Sequence, residues 1–321
     1  MNSNNIGGFF ELELPKITNT YHKRALPLST GRACLNLLLT LIKPKKVFVP
    51  FYTCNVMYET IVRKKIDLEY YAINENLELE QLPILGEGEI FIYINYFGMK
   101  SKYTEKLSLK YKEKLIIDNS HHFFSKGYIH SPSFNSARKH FGVPDGAYLY
   151  ADIPKDISSK IPKNESISIK HSFLRLMNKQ EESYQAFLDY EKKLDDKINY
   201  MSDFSQRVLG QHDFGHIKEL RMNNFIRLHK GLKNLNQLHI SIGDLISPFC
   251  YPLLLKNSID KKTLYEKGFY IPTLWDDVLQ RGLPDFNFEK ILTCNLLPLP
   301  IDHRYSEDEM DLMIQFLNNY V

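Results

Sequence analysis

The chain has 321 residues, of which 43% are hydrophobic and 25% are charged. This composition is typical of a globular protein and excludes wholesale disorder. The formal net charge of +3 is too small and too evenly spread to indicate a nucleic-acid partner. A chain of this length can form one large α/β domain and a smaller second one.

Cysteine usage and hydropathy bear on the location of the protein. The first residues lack the basic start and apolar core of a signal peptide, and no apolar run is long enough for a membrane span. We therefore expect a cytoplasmic protein with no membrane partner. The cysteines form no Cys-x-x-Cys pair and lie far apart, so we expect neither disulfides nor a metal: Cys34, Cys54, Cys250 and Cys294.

Strands and helices alternate after an N-terminal arm over residues 1–28. Period-3.6 patterns predict helices over 34–42, 53–63 and 102–112. Strands joined by helices imply right-handed crossovers, so we expect an α/β domain with a mostly parallel sheet flanked by helices. Apolar runs predict its strands over 46–50, 66–71, 89–95, 114–117 and 147–150.

The pattern changes after Tyr150. A polar loop is predicted over 153–168, and helical periodicity with dense charge follows over 171–200 and 205–235. We interpret these charges, among them Glu191-Lys192-Lys193, as a solvated helix face. The remainder is α+β, with strands over 248–255 and 292–297 and helices over 261–267 and 306–319. We therefore predict a large domain over 1–235 and a small C-terminal domain over 236–321.

The segment from Lys114 to Tyr150 holds the clearest candidates for chemistry. A short apolar strand stops at Asp118, and Lys139 lies in a loop directly before the next strand. Parallel strands deliver such carboxylates to the carboxyl edge of a sheet, where ligands bind. An acid and a lysine at one edge suit a cofactor that needs a cation partner and an imine-forming amine. The alternative is a surface loop with ordinary charges.

A phosphate site is suggested upstream, where Ser29-Thr30-Gly31-Arg32 precedes a helix. The first turn of a helix presents free N–H groups and a partial positive charge, and glycine lets a ligand approach the backbone closely. Arg32 adds a charged contact. The alternative is a plain Ser/Thr helix cap.

Two side chains near the acid and the lysine extend this pattern. His121, three residues after Asp118, can contact a substituent of an aromatic ring or be an ordinary polar residue. Ser136 stands three residues before Lys139, an offset that suits a phosphate on the same ligand. The Ser-x-x-Lys spacing also occurs in serine acyl-transfer enzymes, whose other motifs are absent from this chain.

The chain resembles the fold-type I pyridoxal-phosphate (PLP) enzymes in the order of four motifs: Thr30-Gly31-Arg32-Ala33, Pro50-Phe51-Tyr52-Thr53, Asp118-Asn119-Ser120-His121, and Lys139 through Asp145-Gly146. Within these enzymes it is most similar to the DegT/DnrJ/EryC1/StrS group, largely nucleotide-sugar aminotransferases. Asn223-Asn224-Phe225 and the stretch from Pro300 to Tyr305 extend the resemblance over most of the chain. It implies a large domain with a mostly parallel, seven-stranded sheet and a small α+β domain.

The resemblance implies a role for each matching residue. Lys139 would form the internal aldimine with PLP and later move the proton, while Asp118 would keep the pyridine nitrogen protonated. His121 falls near the ring hydroxyl. Asn224 matches an asparagine that reaches the phosphate of the neighbouring subunit, which implies a homodimer with shared active sites. The phosphate-binding turn would comprise Thr30, Gly31, Arg32 and Ala33.

Two positions depart from the family pattern. Phe134 stands where the family has a hydroxyl five residues before the lysine, so we take Ser136 as its substitute and Ser133 as the alternative. Cys54 stands where an aromatic side chain often stacks on the cofactor ring. Tyr52, or the histidine of the third motif, is then expected to cover the ring.

The resemblance predicts a PLP-dependent aminotransferase that moves an amino group from a donor such as glutamate to a keto acceptor. The expected acceptor is a nucleotide-linked keto-sugar in surface-polysaccharide or related biosynthesis. One alternative is a sugar dehydratase, because that branch replaces the lysine with histidine and His140 directly follows Lys139. A second alternative is another PLP enzyme that acts on a small carbonyl substrate. A third is an inactive member of the fold that binds a ligand or regulates another process.

Other candidates have ordinary interpretations. Trp275 can line the entrance of a site, but we favour a core position at the start of a helix. Arg304 can contact a substrate carboxylate or cap the last helix. His212 and His216 have the spacing of one helix face, yet no third ligand is apparent, so a metal there is not expected.

Overall fold

The computed structural model of the chain describes residues 8–10, 12–15 and 19–320. At its centre is a sheet of seven strands: β1 (Leu26–Leu28), β2 (Lys46–Pro50), β3 (Asp67–Tyr71), β4 (Glu89–Ile94), β5 (Leu115–Asn119), β6 (Ser133–Ser136) and β7 (Ala147–Tyr150). Their order is β1-β7-β6-β5-β4-β2-β3. Strands β2 to β6 run parallel, and β7 is antiparallel to both neighbours. The predicted mostly parallel sheet is confirmed. The arm predicted over 1–28 lies partly outside the described residues.

Helices flank this sheet and build most of the remaining described chain: α1 (Gly31–Ile42), α2 (Asn55–Arg63), α3 (Ser101–Tyr111), α4 (Lys155–Ser158), α5 (Lys170–Leu176), α6 (Gln180–Glu191), α7 (Asp203–Leu209), α8 (Phe214–Leu232), α9 (Lys261–Glu266), α10 (Asn287–Asn295) and α11 (Glu307–Tyr320). Two strands, β8 (Tyr251–Leu254) and β9 (Leu296–Leu299), form a small antiparallel sheet. The C-terminal region is therefore α+β, as predicted. The boundary near residue 235 stays a prediction.

Several segments differ from their sequence-based prediction. Strand β6 was not among the predicted strands, because its residues Ser-Phe-Asn-Ser show no apolar run, although all four are buried between β5 and β7. The strand predicted over 292–297 begins at Leu296, since α10 continues through Asn295. The helical segment over 171–200 contains two helices, separated where Asn178 adopts a positive φ of 59°.

A hydrophobic core packs the central sheet against the surrounding helices and the C-terminal strands. Strands β4 and β5 are almost continuously apolar and buried, as expected for interior strands covered by helices on both faces. One hydrophobic cluster contains Val49 of the sheet, Phe225 of α8 and Leu299 of β9. The C-terminal strands and the seven-stranded sheet therefore share one hydrophobic core. No helix in the described part of the chain is both long and apolar enough to cross a membrane.

A helical hairpin of α5 and α6 projects beside the sheet edge. Helix α5 has no buried residue, and α6 buries only Ser183 and Tyr190. The hairpin is tied to the large domain at its C-terminal end, where Glu191 pairs with Arg138 and the carbonyl of Leu194 accepts a hydrogen bond of 2.6 Å from Arg32. These ties place Glu191 at the mouth of the site described next.

Candidate active site

The carboxyl ends of β5 and β6 and the start of α1 meet at one edge of the sheet. The register of the two parallel strands pairs Asp118 with Phe134. A cavity of about 340 Å³, here called the inner cavity, opens at this edge. Seven of the residues predicted for the site line it: Thr30, Gly31, Arg32, Cys54, Asp118, Ser136 and Lys139.

Asp118 is the buried acid of the inner cavity. It is 9% exposed, and its Oδ1 accepts a hydrogen bond of 2.7 Å from the backbone N–H of Ser120. Burial raises the pKa of Asp118, although the hydrogen bonds of Ser120 and the charge of Lys139 act in the opposite direction. The site therefore offers a carboxylate whose ionised form needs a further cationic partner.

Lys139 is the amine of the inner cavity. It ends the short 3₁₀ turn Ala137–Lys139, and its side chain is exposed to the cavity. Its Nζ lies 3.5 Å from Nε2 of His121. The backbone N–H of Phe97 lies 3.4 Å from Nδ1 of the same imidazole, so both ring nitrogens have a neighbouring polar group.

Burial keeps His121 neutral. The side chain is 1% exposed, and burial, with a smaller contribution from the charge of Lys139, lowers the pKa of His121 well below its ordinary value. Its ring lies nearly parallel to those of Phe249, at 4.5 Å, and Trp275, at 5.5 Å between centroids. His121 is therefore held rigidly behind the lysine, outside the set of residues that line the inner cavity.

Trp275 precedes the 3₁₀ turn Asp276–Gln280 and packs against the main core, as favoured from the sequence, and it also lines a cavity. It lines the inner cavity from the C-terminal region, together with Thr273 and Leu274. Tyr52, expected as a cover for the ring, instead packs edge-on against Trp275 at 4.5 Å and is fully buried. Its hydroxyl has no hydrogen-bond partner among the described residues. Trp275 is therefore the aromatic wall of the cavity.

The two serines of β6 lie at opposite ends of the strand, and only one of them reaches the inner cavity. Ser136 ends β6 and lines the inner cavity. Ser133, at the other end, is 1% exposed, does not line the cavity, and its hydroxyl has no hydrogen-bond partner among the described residues. Between them, the Phe134 ring lies under Gly31, where an added Cβ would be 3.4 Å from it. Ser136 is thus the hydroxyl that the cavity can use.

The start of α1 forms one wall of the cavity. The side chain of Thr30 caps the helix by accepting a hydrogen bond of 3.0 Å from the N–H of Ala33, so this N–H is already engaged. Beyond its bond to Leu194, Arg32 lies 3.8 Å from Glu191. Both the cap and the ligand-binding interpretations of this turn are thus compatible with the structure.

Asn224 lies apart from the inner cavity. It is 3% exposed, and its amide nitrogen donates to the carbonyls of Tyr305 at 3.0 Å, Ile301 at 3.3 Å and Asp302 at 3.4 Å. Both amide hydrogens are therefore occupied inside the chain itself. In this arrangement Asn224 holds the loop before α11, and its contact with a phosphate of a neighbouring subunit stays a prediction.

Glu191 and Arg138 are site residues that the sequence analysis missed. Arg138 makes an ion pair with Glu191, and both line the inner cavity with Arg32. Arg138 is next to Lys139 in the sequence, so its proximity to the site could have been predicted. Glu191 lay within a charged run interpreted as a solvated face, and only the fold brings it across more than fifty residues to the cavity.

Comparisons with known proteins agree with this architecture. No protein-family model matches the chain, and no curated protein matches it. A DegT DnrJ EryC1 StrS aminotransferase from Brucella abortus is 14% identical, with a TM-score of 0.63 over 92% of this chain and 85% of that one. A putative sugar aminotransferase from Streptococcus pneumoniae, in its PLP form, is 13% identical, with a TM-score of 0.64 over 93% and 88%.

A third solved structure is DesI in the presence of its TDP-sugar product. It is 13% identical, with a TM-score of 0.63 over 92% of this chain and 80% of that one. At these identities the likeness establishes the fold, and the fold-type I prediction is confirmed. The chain has the fold of the DegT/DnrJ/EryC1/StrS-type sugar aminotransferases.

Proposed function

We propose that the protein is a PLP-dependent aminotransferase. It moves an amino group from a donor such as glutamate to a keto acceptor, and the acceptor is a nucleotide-linked keto-sugar in surface-polysaccharide or related biosynthesis. The observation that carries the proposal is the convergence of Asp118, Lys139 and the start of α1 on one inner cavity. The solved neighbours of the same fold, one in a PLP form and one with a TDP-sugar product, support it.

The residues of the inner cavity fit this cofactor. Asp118 is a buried carboxylate with room for a cation, which a protonated pyridine nitrogen would supply. Gly31 packs closely over the Phe134 ring, and the first turn of α1 and Ser136 line the part of the cavity where they would hold a phosphate. When bound, PLP supplies an electron sink for the pair of electrons left at the donor carbon.

The chain itself supplies the acid and base. Nζ of Lys139 accepts the proton from Cα of the amino donor and, in the second half-reaction, gives a proton to the acceptor carbon. His121, 3.5 Å away and neutral, orients this amine from behind the cavity. Asp118 would pair with the ring nitrogen of the cofactor, and its negative charge favours the protonated form of that nitrogen.

The position of His140 favours amination over dehydration. Its ring is 5% exposed, packs 5.8 Å from the Phe123 ring, and does not line the inner cavity, whereas Lys139 does. Both imidazole nitrogens of His140 lack a hydrogen-bond partner among the described residues. A histidine turned into the core cannot replace the lysine in the chemistry.

We also propose a cytoplasmic homodimer. The shared fold with enzymes of this group supports the homodimer, and the scattered cysteines of the sequence, with no Cys-x-x-Cys pair, suit a reducing compartment. Asn224 does not contribute to this part of the proposal, because its amide is engaged within its own chain. Light scattering at micromolar concentration would give the mass of two chains, and the mass of one chain would refute the dimer.

The test of the function is a half-reaction followed by absorbance. Protein reconstituted with PLP should be yellow, lose the yellow absorbance with glutamate, and regain it with one member of a panel of nucleotide keto-sugars. Lys139→Ala should abolish these changes, while Lys106→Ala, at an exposed position on α3, should leave them intact. A yellow protein that ignores every donor would favour the binding or regulatory alternative, and a product without nitrogen would favour dehydration.

A further inference from the structure

The open edge of the central sheet lies at β3, which is the last strand and pairs only with β2. The N–H of Asp67 donates to the carbonyl of Lys45, which precedes β2. Since alternate residues of a parallel strand bond to the same neighbour, the backbone groups of Leu68 and Tyr70 face away from β2. Neither residue's N–H or carbonyl makes a hydrogen bond within the described part of the chain. The edge therefore presents free backbone donors and acceptors to an added strand.

A groove of about 970 Å³, here called the edge groove, adjoins β3. It is lined by β3, the loop that follows it and the start of α10. Much of its surface is apolar: Phe48, Leu82, Ile84, Phe286 and Phe288. Ile84 is 97% exposed and Leu82 is 46% exposed. Exposed apolar residues that share one groove, rather than lie scattered over the surface, are typical of an interaction site.

The edge groove carries a strong negative charge. Its lining contains several acids: Glu69, Glu80, Glu89, Asp285 and Glu289. The only cation among the described lining residues is Lys46, which forms an ion pair of 2.5 Å with Glu69. A surface with charges of one sign attracts groups of the opposite sign and repels groups of the same sign. The charge of the groove therefore favours a basic occupant.

Glu80 and Asp285 are the carboxylates of the edge groove that remain free. Both are exposed, and neither makes a hydrogen bond or an ion pair with any other residue in the described ranges. Lysine or arginine side chains of an occupant would satisfy them. Exposed ion pairs contribute little affinity each, so these two acids select the sign of the partner's charge, while the backbone edge and the apolar lining supply most of the affinity.

The composition of β3 disfavours a second copy of this chain as the occupant. A two-fold contact through this edge would pair β3 with itself. Asp67 and Glu69 of both strands would then lie close together, and like charges on paired strands destabilise a sheet. A small organic cation would use the acids and leave the backbone edge unpaired. An extended basic polypeptide uses both.

We propose that the edge of β3 binds an extended, basic segment of a partner protein, which adds a strand to the central sheet. The backbone of this segment pairs with the free groups of Leu68 and Tyr70. Its side chains on the groove side contact Glu80, Asp285 and the apolar lining. The inference is independent of the proposed function, because no residue that lines the edge groove also lines the inner cavity.

Synthetic peptides test this assignment on the full-length, PLP-loaded protein. In an anisotropy titration, fluorescein-labelled Lys-Val-Lys-Val-Lys-Val should bind and Glu-Val-Glu-Val-Glu-Val should not. Two N-methylated versions of the basic peptide keep its charge, one methylated at the valines and one at the lysines. The version that loses the N–H groups facing β3 should bind about tenfold more weakly than the other. Equal affinities of both versions and the parent peptide, or no binding of the parent, would overturn the inference.

Variants of the free acids test the role of charge. Glu80→Gln combined with Asp285→Asn should weaken binding of the basic peptide about fivefold, and more so at low salt. Glu59→Gln combined with Glu105→Gln removes two exposed carboxylates outside the groove, on α2 and α3, and should change the affinity less than twofold. An affinity that is the same in the two double variants would contradict the assignment.

Hydrogen exchange locates the contact and separates the other occupants. Saturating basic peptide should slow amide exchange over residues 67–71 about tenfold. Protection confined to another part of the chain would overturn the inference. Displacement of the peptide by spermidine, with no change in exchange over 67–71, would assign the groove to a small cation instead. If the peptide lowers the mass measured by light scattering to that of one chain, the edge belongs to a second copy and the inference fails.

Discussion

The inner cavity and the loop before α11 are built from different parts of the fold and differ in how their carboxylates are balanced. The inner cavity lies at strand ends, and burial of its acid Asp118 outweighs the hydrogen bonds of Ser120 and the charge of Lys139. In the loop before α11, Asp302 makes a bidentate ion pair with Arg304. The first arrangement leaves a carboxylate available to a bound group, and the second holds the loop in place.

The pKa values of Asp118 and Asp302 shift in opposite directions. Burial acts to raise the pKa of both groups. For Asp118 burial prevails, and the pKa is raised. For Asp302 the hydrogen bonds and the charge of Arg304 outweigh burial, and the pKa is lowered. A buried carboxylate with a raised pKa in a cavity is a candidate functional group, and Asp118 meets this description whereas Asp302 does not.

Asp118→Asn should have the largest effect among the variants that compare the two regions. Without a carboxylate the ring nitrogen of the cofactor is no longer held protonated, and we expect kcat to fall about a hundredfold to a thousandfold in both half-reactions. Stopped-flow absorbance with glutamate and with the acceptor measures both rates. Asp302→Asn is the matched control and should lower neither rate more than about threefold. A loss confined to the acceptor half-reaction would contradict the assignment of Asp118 to the cofactor.

The same two variants should have opposite effects on the stability of the cofactor-free protein. The folded pKa of Asp118 lies above the unfolded value, so its ionisation destabilises the fold as pH rises through the raised pKa. Asp118→Asn removes this penalty and should raise the free energy of unfolding at pH 8 by on the order of 1 kcal/mol. The gain should vanish as pH falls below the ordinary aspartate range.

Asp302 has the reverse sign. Its lowered pKa contributes stability above the ordinary aspartate range, and this contribution is lost as pH falls through the folded pKa. Asp302→Asn should therefore lower the free energy of unfolding at pH 8 and have little effect under acidic conditions. Urea denaturation of both variants over a pH series measures the two trends. Stabilisation by Asp302→Asn at pH 8 would show that Arg304 does not hold that carboxylate.

Local patterns in the sequence account for most of the fold. Strands β2 and β7 begin and end at the predicted residues, because a short apolar run bounded by a turn or a proline has few other arrangements. Strand β6 was missed because its residues carry a polar pattern, and its place in the sheet depends on pairing with β5 and β7. Pairing with β5 and β7, more than the β-propensity of its residues, makes β6 a strand.

The candidate site could be predicted where one short segment contains both the functional side chains and the strands that place them. Asp118 follows a buried strand and Lys139 precedes another, and the parallel sheet brings both to one edge. Glu191 and Trp275 could not be located in this way, since their positions depend on contacts between distant segments. Asn224 was assigned to a neighbouring subunit by analogy, while its own hydrogen bonds depend on the loop before α11.

The central claim is that Lys139 carries the cofactor. Reduction of the PLP-loaded protein with sodium borohydride fixes the cofactor on the lysine that holds it, and mass spectrometry of the peptides then identifies that residue. The account predicts the pyridoxyl group on the peptide containing Lys139, in about one copy per chain. A pyridoxyl group on another lysine, or a chain that remains unlabelled at saturating PLP, would contradict it.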